Sequence, residues 1–289
     1  MFIVKYKSIF ISISILLVIA SFFAMGKFGI KKGIDFTGGT VIETSYLNTH
    51  PESLDKKAFS YVGVDVYQTN PTSYKFISTL GYDEMTKAIQ PLIAQKMYPY
   101  METNVTSVGP TLGAEMTKKA IIAIIVVVFV ILFFIAFAFR HVSLPVSSWK
   151  YGTVAMVTLI HDITIPTGIY VWLSQTQGAQ VDTLFVIALL TILGISISDK
   201  IVVFDRIREN LRLNGKRAFA ETVGISLKQT FTRSINTSVT VVLALIALYI
   251  FGPTSTKFFA LTLISGMIIG TYSSIFVASP LLIVWNKKK

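Results

Sequence analysis

Residues 120–139 read AIIAIIVVVFVILFFIAFAF, which is twenty apolar residues without a charge or a polar side chain. About 20 residues of α-helix, at about 1.5 Å each, cross the roughly 30 Å hydrocarbon core of a bilayer. A run of this length and uniformity is typical of a membrane span rather than of a helix in a soluble core. The stretch therefore predicts a transmembrane helix.

The rest of the chain has the same character. Hydrophobic residues make up 53% of the 289 positions and charged residues only 14%, with a mean hydropathy of +0.65. This composition excludes an ordinary soluble domain. The apolar residues form six blocks, which we interpret as transmembrane helices over 8–25, 120–139, 151–173, 183–204, 234–251 and 258–285. The first is interpreted as a retained anchor because Ala24-Met25-Gly26 is a poor match to a signal-peptide cleavage site.

The positions of Lys and Arg predict the orientation, because short positive connections stay in the cytoplasm. Lys and Arg residues lie before the first span and between the second and third. Others are concentrated in the connection at about 205–228 and in the last three residues, 287–289. The opposite connections, 175–182 and 252–257, carry one cation between them. Both termini are therefore predicted to be cytoplasmic. The net charge of +11 is mostly this topology signal, so we predict no nucleic-acid partner and interpret the basic tail as an anchor on anionic lipid.

This topology predicts an extracytoplasmic domain at 28–117, between an N-terminal anchor at 1–27 and the remaining helices at 118–289. Within it, periodicity and turn residues predict alternating elements: strand 41–46, helix 51–60, strand 62–68, strand 73–80, a helix from Asp83 toward Met97 that is bent or interrupted at Pro91, and strand 103–108. The order βαββαβ is that of a ferredoxin-like α+β domain.

Three charged residues within or at the start of the apolar blocks stand out, Asp162, Asp199 and Arg233, and Lys200 directly follows Asp199 in the fourth block. A charge at the bilayer centre costs roughly 2.5–3.5 kcal/mol on insertion scales, so such residues need partners and usually have a function. If the fifth helix starts near Lys228, Asp199 and Arg233 lie at similar depths on consecutive helices. The guanidinium favours the charged carboxylate and burial favours the neutral form. Two interpretations stay open, a proton relay and a static ion pair, and His161 beside Asp162 is either a relay member or an ordinary interior histidine.

Other motifs are weaker. Gly266-x-x-x-Gly270 predicts close helix packing, and the residues 33–40, GIDFTGGT, predict a tight turn into a strand with positive φ at Gly38 and Gly39. Five hydroxyl residues are candidates for a wet path: Ser196, Ser198, Thr237, Ser238 and Thr240. Metal-binding, hydrolytic and nucleotide-binding motifs are absent from the sequence, so we predict no enzyme activity, no cofactor and no metal.

Taken together, the motifs resemble those of the SecF proteins of the SecD/SecF protein-export family, within the resistance–nodulation–division superfamily. The resemblance runs through GIDFTGG at 33–39, VGP at 108–110, His161-Asp162, GISISDKIVVFDRIREN at 194–210, RSINTSVT at 233–240 and GTYSSIFVASPLL at 270–282. The matching family-motif residues include Asp35, Phe36, Gly38, Gly39, His161, Asp205 and Arg206.

The resemblance implies a function. Asp199 matches the family's acidic residue of proton transport and Arg233 its basic partner, with Asp162 as a further relay member. Proton flow would then move the outer domain and help draw polypeptide from the SecYEG channel, in the bacterial inner membrane and beside a SecD-like subunit. Residues 205–210 would cap the fourth helix on the cytoplasmic side, an assignment that a topology-fixing polar helix end also explains.

The chain departs from the family pattern next to Asp199. Ile195, Ser198 and Lys200 stand where the family usually has Tyr, Asn and Thr. Lys200 points about 100° away from Asp199 around the helix, so we expect no direct pair between them. We expect Lys200 to extend toward the cytoplasmic surface and to alter the pH or ion dependence of the relay through its field.

Two rival functions stay open at this point. One is a half-size, proton-driven exporter of small molecules or lipids from the same superfamily, although such exporters usually carry two halves and larger outer domains. The other is a scaffold without a transport role, for which Asp199 would be dispensable.

Overall fold

The computed structural model describes residues 2–46, 56–70, 73–94, 100–138, 148–213 and 217–286. Within these ranges the protein is mostly helical and has one small antiparallel sheet. The elements in chain order are α1 (Phe2–Lys5), α2 (Lys7–Phe28), α3 (Ile34–Thr37), β1 (Gly39–Tyr46), α4 (Lys56–Tyr61), β2 (Val64–Asn70), β3 (Ser73–Ser78), α5 (Tyr82–Ala94), β4 (Tyr100–Val108), α6 (Pro110–Ala138), α7 (Ser148–Gln177), α8 (Thr183–Leu213), α9 (Phe219–Phe251), α10 (Lys257–Ser273) and α11 (Ser279–Asn286). A 3₁₀ turn (Thr254–Thr256) precedes α10, and a π-helical segment (Ser274–Ala278) joins α10 to α11.

The chain divides into two compact units. The first, which we call the membrane unit, comprises Met1–Gly29, Ile124–Trp172 and Leu184–Lys289. The second, which we call the sheet unit, comprises Ile30–Ala123 and Leu173–Thr183. The sheet unit therefore includes the connection between α7 and α8, which the sequence pattern did not assign to it.

Six helical segments in the described ranges are long and apolar enough to cross a membrane: Lys7–Phe28, Pro110–Ile135, Trp149–Gln177, Thr183–Leu213, Phe219–Phe251 and Thr254–Asn286. They coincide with the six predicted blocks, so the protein is a multi-pass membrane protein. Exposed side chains such as Phe129 and Phe133 give α6 an apolar surface that lipid or a partner helix must cover.

Several helices extend beyond their apolar blocks. The segment 205–228, predicted as a connection, is helical through Leu213 and again from Phe219. Hydropathy detects only the part of a helix inside lipid, whereas Arg, Glu and Leu continue a helix well in water and form i,i+3 ion pairs such as Arg206–Glu209 at 2.5 Å. Because α9 begins at Phe219, Arg233 lies about four turns into it, not the one and a half that the sequence predicted.

The sheet has the strand order β2-β3-β1-β4, and every neighbouring pair is antiparallel. Alternate residues of the central strands, including Ile42 and Phe76, are completely buried. They pack with Phe59 of α4 and with Met85 and Ile89 of α5, so one face of the sheet carries the core of this unit.

The elements of the sheet unit differ from the prediction in detail. Helix α5 begins at Tyr82, so Asp83 lies in its first turn rather than at its cap, and Pro91 lies within the continuous helix. Pro91 has no amide hydrogen to donate to the carbonyl four residues before it, but the helix continues through it to Ala94. Residues 51–55, the predicted start of the first helix of this domain, and 95–99, the end of the second, lie outside the described residues, as do Pro71 and the tail 287–289.

Candidate functional site

Asp162 of α7 is completely buried and contacts three side chains. Its Oδ1 accepts a hydrogen bond from His161 Nδ1 at 2.9 Å. Its Oδ2 accepts from the Ser196 hydroxyl and forms an ion pair with the Lys200 ammonium, which is also completely buried. Lys200 Nζ donates to Ser196 Oγ as well, at 2.5 Å. We call Asp162, His161, Ser196 and Lys200 the Asp162 cluster.

This cluster corrects one prediction. Lys200 does not extend toward the surface but turns into the bundle, where Asp162 is its counter-ion. The reason is that a buried carboxylate and a buried ammonium are each costly alone, and pairing them recovers much of the cost. The expectation that Lys200 does not pair with Asp199 is consistent with this geometry, since the Lys200 ammonium is bound to Asp162.

Asp199 is partly buried and is held by two hydroxyl groups. Ser234 of α9 donates to its Oδ1 at 2.5 Å, and Ser274, the first residue of the π-helical segment, donates to its Oδ2. Both serines are buried. Among the described residues no cation lies within ion-pairing distance of Asp199, so its carboxylate is hydrogen-bonded but has no direct counter-ion.

Asp199 lines a cavity of about 240 Å³ whose walls come from α8, α9 and α10. Arg233 lines the same cavity but forms no ion pair with Asp199, so the predicted direct pair is absent although the two residues share one space. Four of the five hydroxyl residues proposed for a wet path also line it: Ser196, Ser198, Thr237 and Ser238. The fifth, Thr240, donates back to the Asn236 carbonyl of its own helix.

The two glycines of the Gly266-x-x-x-Gly270 motif allow α10 to approach α8, as their spacing predicted. A Cβ on Gly266 would lie 2.2 Å from the Ile192 side chain, and a Cβ on Gly270 would lie 3.1 Å from Ser196 Oγ. Both glycines line the cavity. Their lack of a side chain therefore sets the width of this space beside the Asp162 cluster.

In the sheet unit, the segment 33–40 contains short helix α3 between Gly33 and Gly38, followed by β1. Asp35 Oδ2 accepts a hydrogen bond from the backbone amide of Thr183, the first residue of α8, at 2.9 Å. Gly33 donates to the Val181 carbonyl at 2.7 Å, and the Phe36 carbonyl accepts from Thr117 of α6. The hydrogen bonds of this motif therefore link three parts of the sheet unit: the connection before α8, the start of α6 and strand β1, which follows the motif.

The polar residues 205–210 lie within α8 rather than at its cap. Asp205 faces Arg208 at 3.8 Å. Arg206 donates to Gln229 of α9 at 2.8 Å, and Asn210 donates to Ser226 of α9 at the same distance. These hydrogen bonds hold α8 against α9, which supports a structural role for the polar segment. In the described part of the chain no group of three His, Asp or Glu side chains is close enough to hold a metal ion.

The chain is similar to known proteins. The family profile described as "Protein export membrane protein SecD/SecF, C-terminal" matches residues 90–288, and the "SecD/SecF GG Motif" profile matches residues 23–46. The chain belongs to the SecD/SecF protein-export family. The second profile covers Asp35, Gly38 and Gly39, and the first covers Asp162 and Asp199.

Individual relatives agree with the profiles. Protein translocase subunit SecF of Thermobaculum terrenum is 37% identical over 99% of this chain and 94% of its own length. The SecF subunit of Anaerolinea thermophila is 33% identical over 97% and 92%, respectively. The crystal structure of SecDF from Thermus thermophilus, described as a translocon-associated membrane protein, matches with a TM-score of 0.83 and 30% identity over 99% of this chain and 38% of that one. This chain thus spans little more than a third of SecDF.

The sequence did not predict three side-chain contacts of the site. The Asp162–Lys200 pair was missed although both residues lie at nearly equal distances from the short connection between α7 and α8. The hydroxyl contacts of Ser234 and Ser274 with Asp199 carry no sequence signal, because Ser is common in helices and a π-helical segment has no simple pattern.

The glycine pair of the GG motif gives a direct test of the fold. Gly39 has φ +126°, and a Cβ there would lie 2.1 Å from the Ser78 carbonyl oxygen. We expect Gly39→Ala to lower the free energy of unfolding of the full chain by roughly 2–5 kcal/mol, from backbone strain and overpacking. Gly63 is the matched control, since it has φ +75° and open space around its Cα. Gly63→Ala should cost about 1–2 kcal/mol by thermal unfolding in detergent, and equal losses would contradict the proposed steric role of Gly39.

Proposed function

We propose that this chain is the SecF-like subunit of the bacterial Sec export machinery and that it couples proton-motive force to polypeptide export. Asp199 is the residue that takes up and releases the proton, and Arg233 is the cation that assists its release. The protein carries out transport rather than covalent chemistry. Its place is the bacterial inner membrane, with both termini in the cytoplasm.

The observation that carries this proposal is the environment of Asp199. Asp199 has no direct counter-ion; it is held by the hydroxyls of Ser234 and Ser274, and it lines a cavity that Arg233 also lines. A proton carrier needs such an environment, because an acid that is firmly paired does not cycle between charged and neutral forms. Arg233, on the same cavity, favours the charged form whenever it approaches the carboxylate.

The contacts of Asp35 support a route from this acid to the outer domain. Helix α8 is continuous from Thr183 to Leu213 and carries Asp199. Its first backbone amide is bound by Asp35, and Val181 just before it is bound by Gly33. A displacement of α8 that follows protonation of Asp199 would therefore be passed to the strand that follows Asp35.

We further propose that the sheet unit is a ferredoxin-like domain on the extracytoplasmic side, where it touches the exported polypeptide. The antiparallel order β2-β3-β1-β4 with two helices on one face supports this assignment. Because the chain corresponds to little more than a third of SecDF, its partner is a SecD-like subunit, and the pair acts on the SecYEG channel. The likeness to translocase subunits gives the small-molecule exporter no support.

The proposal is tested by complementation. Cells depleted of their own SecF would receive this chain together with the SecD-like subunit of its source, and export of a secretory precursor would be followed by pulse-chase labelling. We expect export to recover and a protonophore to abolish the gain. Recovery that a protonophore does not affect would point to the scaffold function, and the absence of any recovery, with both subunits present in the membrane, would contradict the proposal.

A further inference from the structure

Lys200 and Asp199 are adjacent in sequence but point about 100° apart around α8, and their side chains contact different helices. Asp199 contacts Ser234 of α9 and Ser274 of the π-helical segment. Lys200 contacts Asp162 of α7, and it does so in a completely buried position. Asp199 and Asp162 therefore lie in two different environments of the membrane unit, the first on the cavity and the second enclosed with its own cation.

The charges of the Asp162 cluster balance without any external ion. The ionisable groups that contact Asp162 in the described part of the chain are His161 from its own helix and Lys200 from α8. The Asp162 carboxylate and the Lys200 ammonium form one ion pair of opposite unit charges. His161 contacts the other carboxylate oxygen through Nδ1, and its buried Nε2 has no hydrogen-bond partner among the described residues.

Asp162 is also separated from the cavity that Asp199 lines. It does not line the cavity, whereas its neighbour Ser196 does. The Ser196 hydroxyl already donates to Asp162 and accepts from Lys200, so its single hydrogen is committed. A proton that reaches the cavity meets Asp199 directly but meets Asp162 only after this closed set of contacts is broken.

We propose that Lys200 is a positioning residue that keeps Asp162 permanently ionised and so removes this carboxylate from proton coupling, which leaves Asp199 as the sole coupling acid. This inference rests on the proposed function of proton-driven export and narrows it, since the resemblance alone implied that Asp162 joins the relay. It also gives Lys200, which departs from the family pattern, a specific role: it replaces a protonation step by a fixed internal charge.

The test is a double-mutant cycle on export driven by proton-motive force, with Asp162→Asn, Lys200→Met and both changes together. We expect each single variant to lose at least about tenfold of the driven export, because each leaves one buried charge alone. The double variant has no unpaired charge and should return to within about threefold of the wild type. A double variant as inactive as Asp162→Asn, at wild-type abundance in the membrane, would overturn the proposal because it would show that the carboxylate itself is needed.

A pH profile separates the positioning role from a merely structural one. In Lys200→Met, Asp162 is free to bind a proton, so the dependence of driven export on pH should gain a second titration that the double variant lacks. His161, Asp199 and Arg233 are unchanged in both variants and cannot account for the difference. A uniform loss of export at every pH, with no change in the shape of the profile, would contradict the proposal.

Infrared difference spectra of the wild-type complex add a measurement that does not depend on the folding of the charge variants. Across the pH range of export we expect one membrane carboxyl of this chain to change protonation, and we expect its band to disappear in Asp199→Asn. A second titrating carboxyl that persists in Asp199→Asn and is lost in Asp162→Asn would overturn the role given to Lys200. Undiminished export in Asp199→Asn would instead contradict the proposed function, so the two failures are distinguishable.

Discussion

Lys200→Met is expected to be among the most damaging single substitutions in the membrane unit. Lys200 and Asp162 are both completely buried, and the change removes the only cation in contact with that carboxylate among the described residues. Breaking a buried pair from one side typically costs roughly 3–5 kcal/mol, because the remaining charge is uncompensated. We expect a loss of this size in the free energy of unfolding, seen as a lower thermal midpoint in detergent and lower abundance in the membrane.

The chain offers a matched control for this prediction. Lys119 pairs with Glu115 at 2.7 Å, one turn apart on α6, but the two side chains are 72% and 57% exposed. Exposed pairs of this kind contribute about 0–1 kcal/mol, so Lys119→Met should leave the unfolding midpoint nearly unchanged. Equal effects of the two substitutions would mean that the contact between Lys200 and Asp162 does not hold α7 and α8 together.

Asp199→Asn is expected to abolish the part of export that depends on proton-motive force while leaving the fold intact. The amide oxygen of Asn can still accept a hydrogen bond from one serine, and its NH₂ group can donate to the other, so Ser234 and Ser274 keep partners. The amide cannot bind and release a proton in the way a carboxylate does. We expect driven export to fall to the level of membranes that lack the chain.

Glu209→Gln is the control for Asp199→Asn. Glu209 lies on the same helix, is about half exposed and pairs with Arg206 at 2.5 Å, so the same change of acid to amide removes only a surface ion pair. Driven export should stay close to that of the wild type. A variant at Glu209 that is as defective as the one at Asp199 would show that any acidic loss on α8 impairs export, which would remove the special role of the cavity.

Much of the fold could be predicted from the sequence, because the signals that decide it are local. An unbroken run such as 120–139 has no stable place outside lipid, and the alternation around Ile42 and Phe76 follows from the two faces of a strand. The ends of the helices were harder to predict. Residues 205–213 are polar, so hydropathy assigned them to a connection, although their helical propensity and i,i+3 pairs continue α8 in the structure.

The site could be predicted only in part. The cost of burying charge was enough to identify Asp162, Asp199 and Arg233 as unusual residues. Which of them form pairs depends on how three helices pack, and this is not a local property. The prediction paired Asp199 with Arg233 because they lie at similar depths in the membrane. The contacts depend instead on the direction in which each side chain leaves its helix: Lys200 contacts Asp162, and Ser234 and Ser274 contact Asp199.

The central claim, that Asp199 carries the proton, is tested most directly by proton flux. The chain and its SecD-like partner would be reconstituted in liposomes that enclose a pH-sensitive dye, and acidification would be followed after a pH gradient is applied. We predict flux in the wild type, none above empty liposomes in Asp199→Asn, and substantial flux in the double variant Asp162→Asn/Lys200→Met. Wild-type flux in Asp199→Asn, with equal amounts of protein reconstituted, would contradict the account.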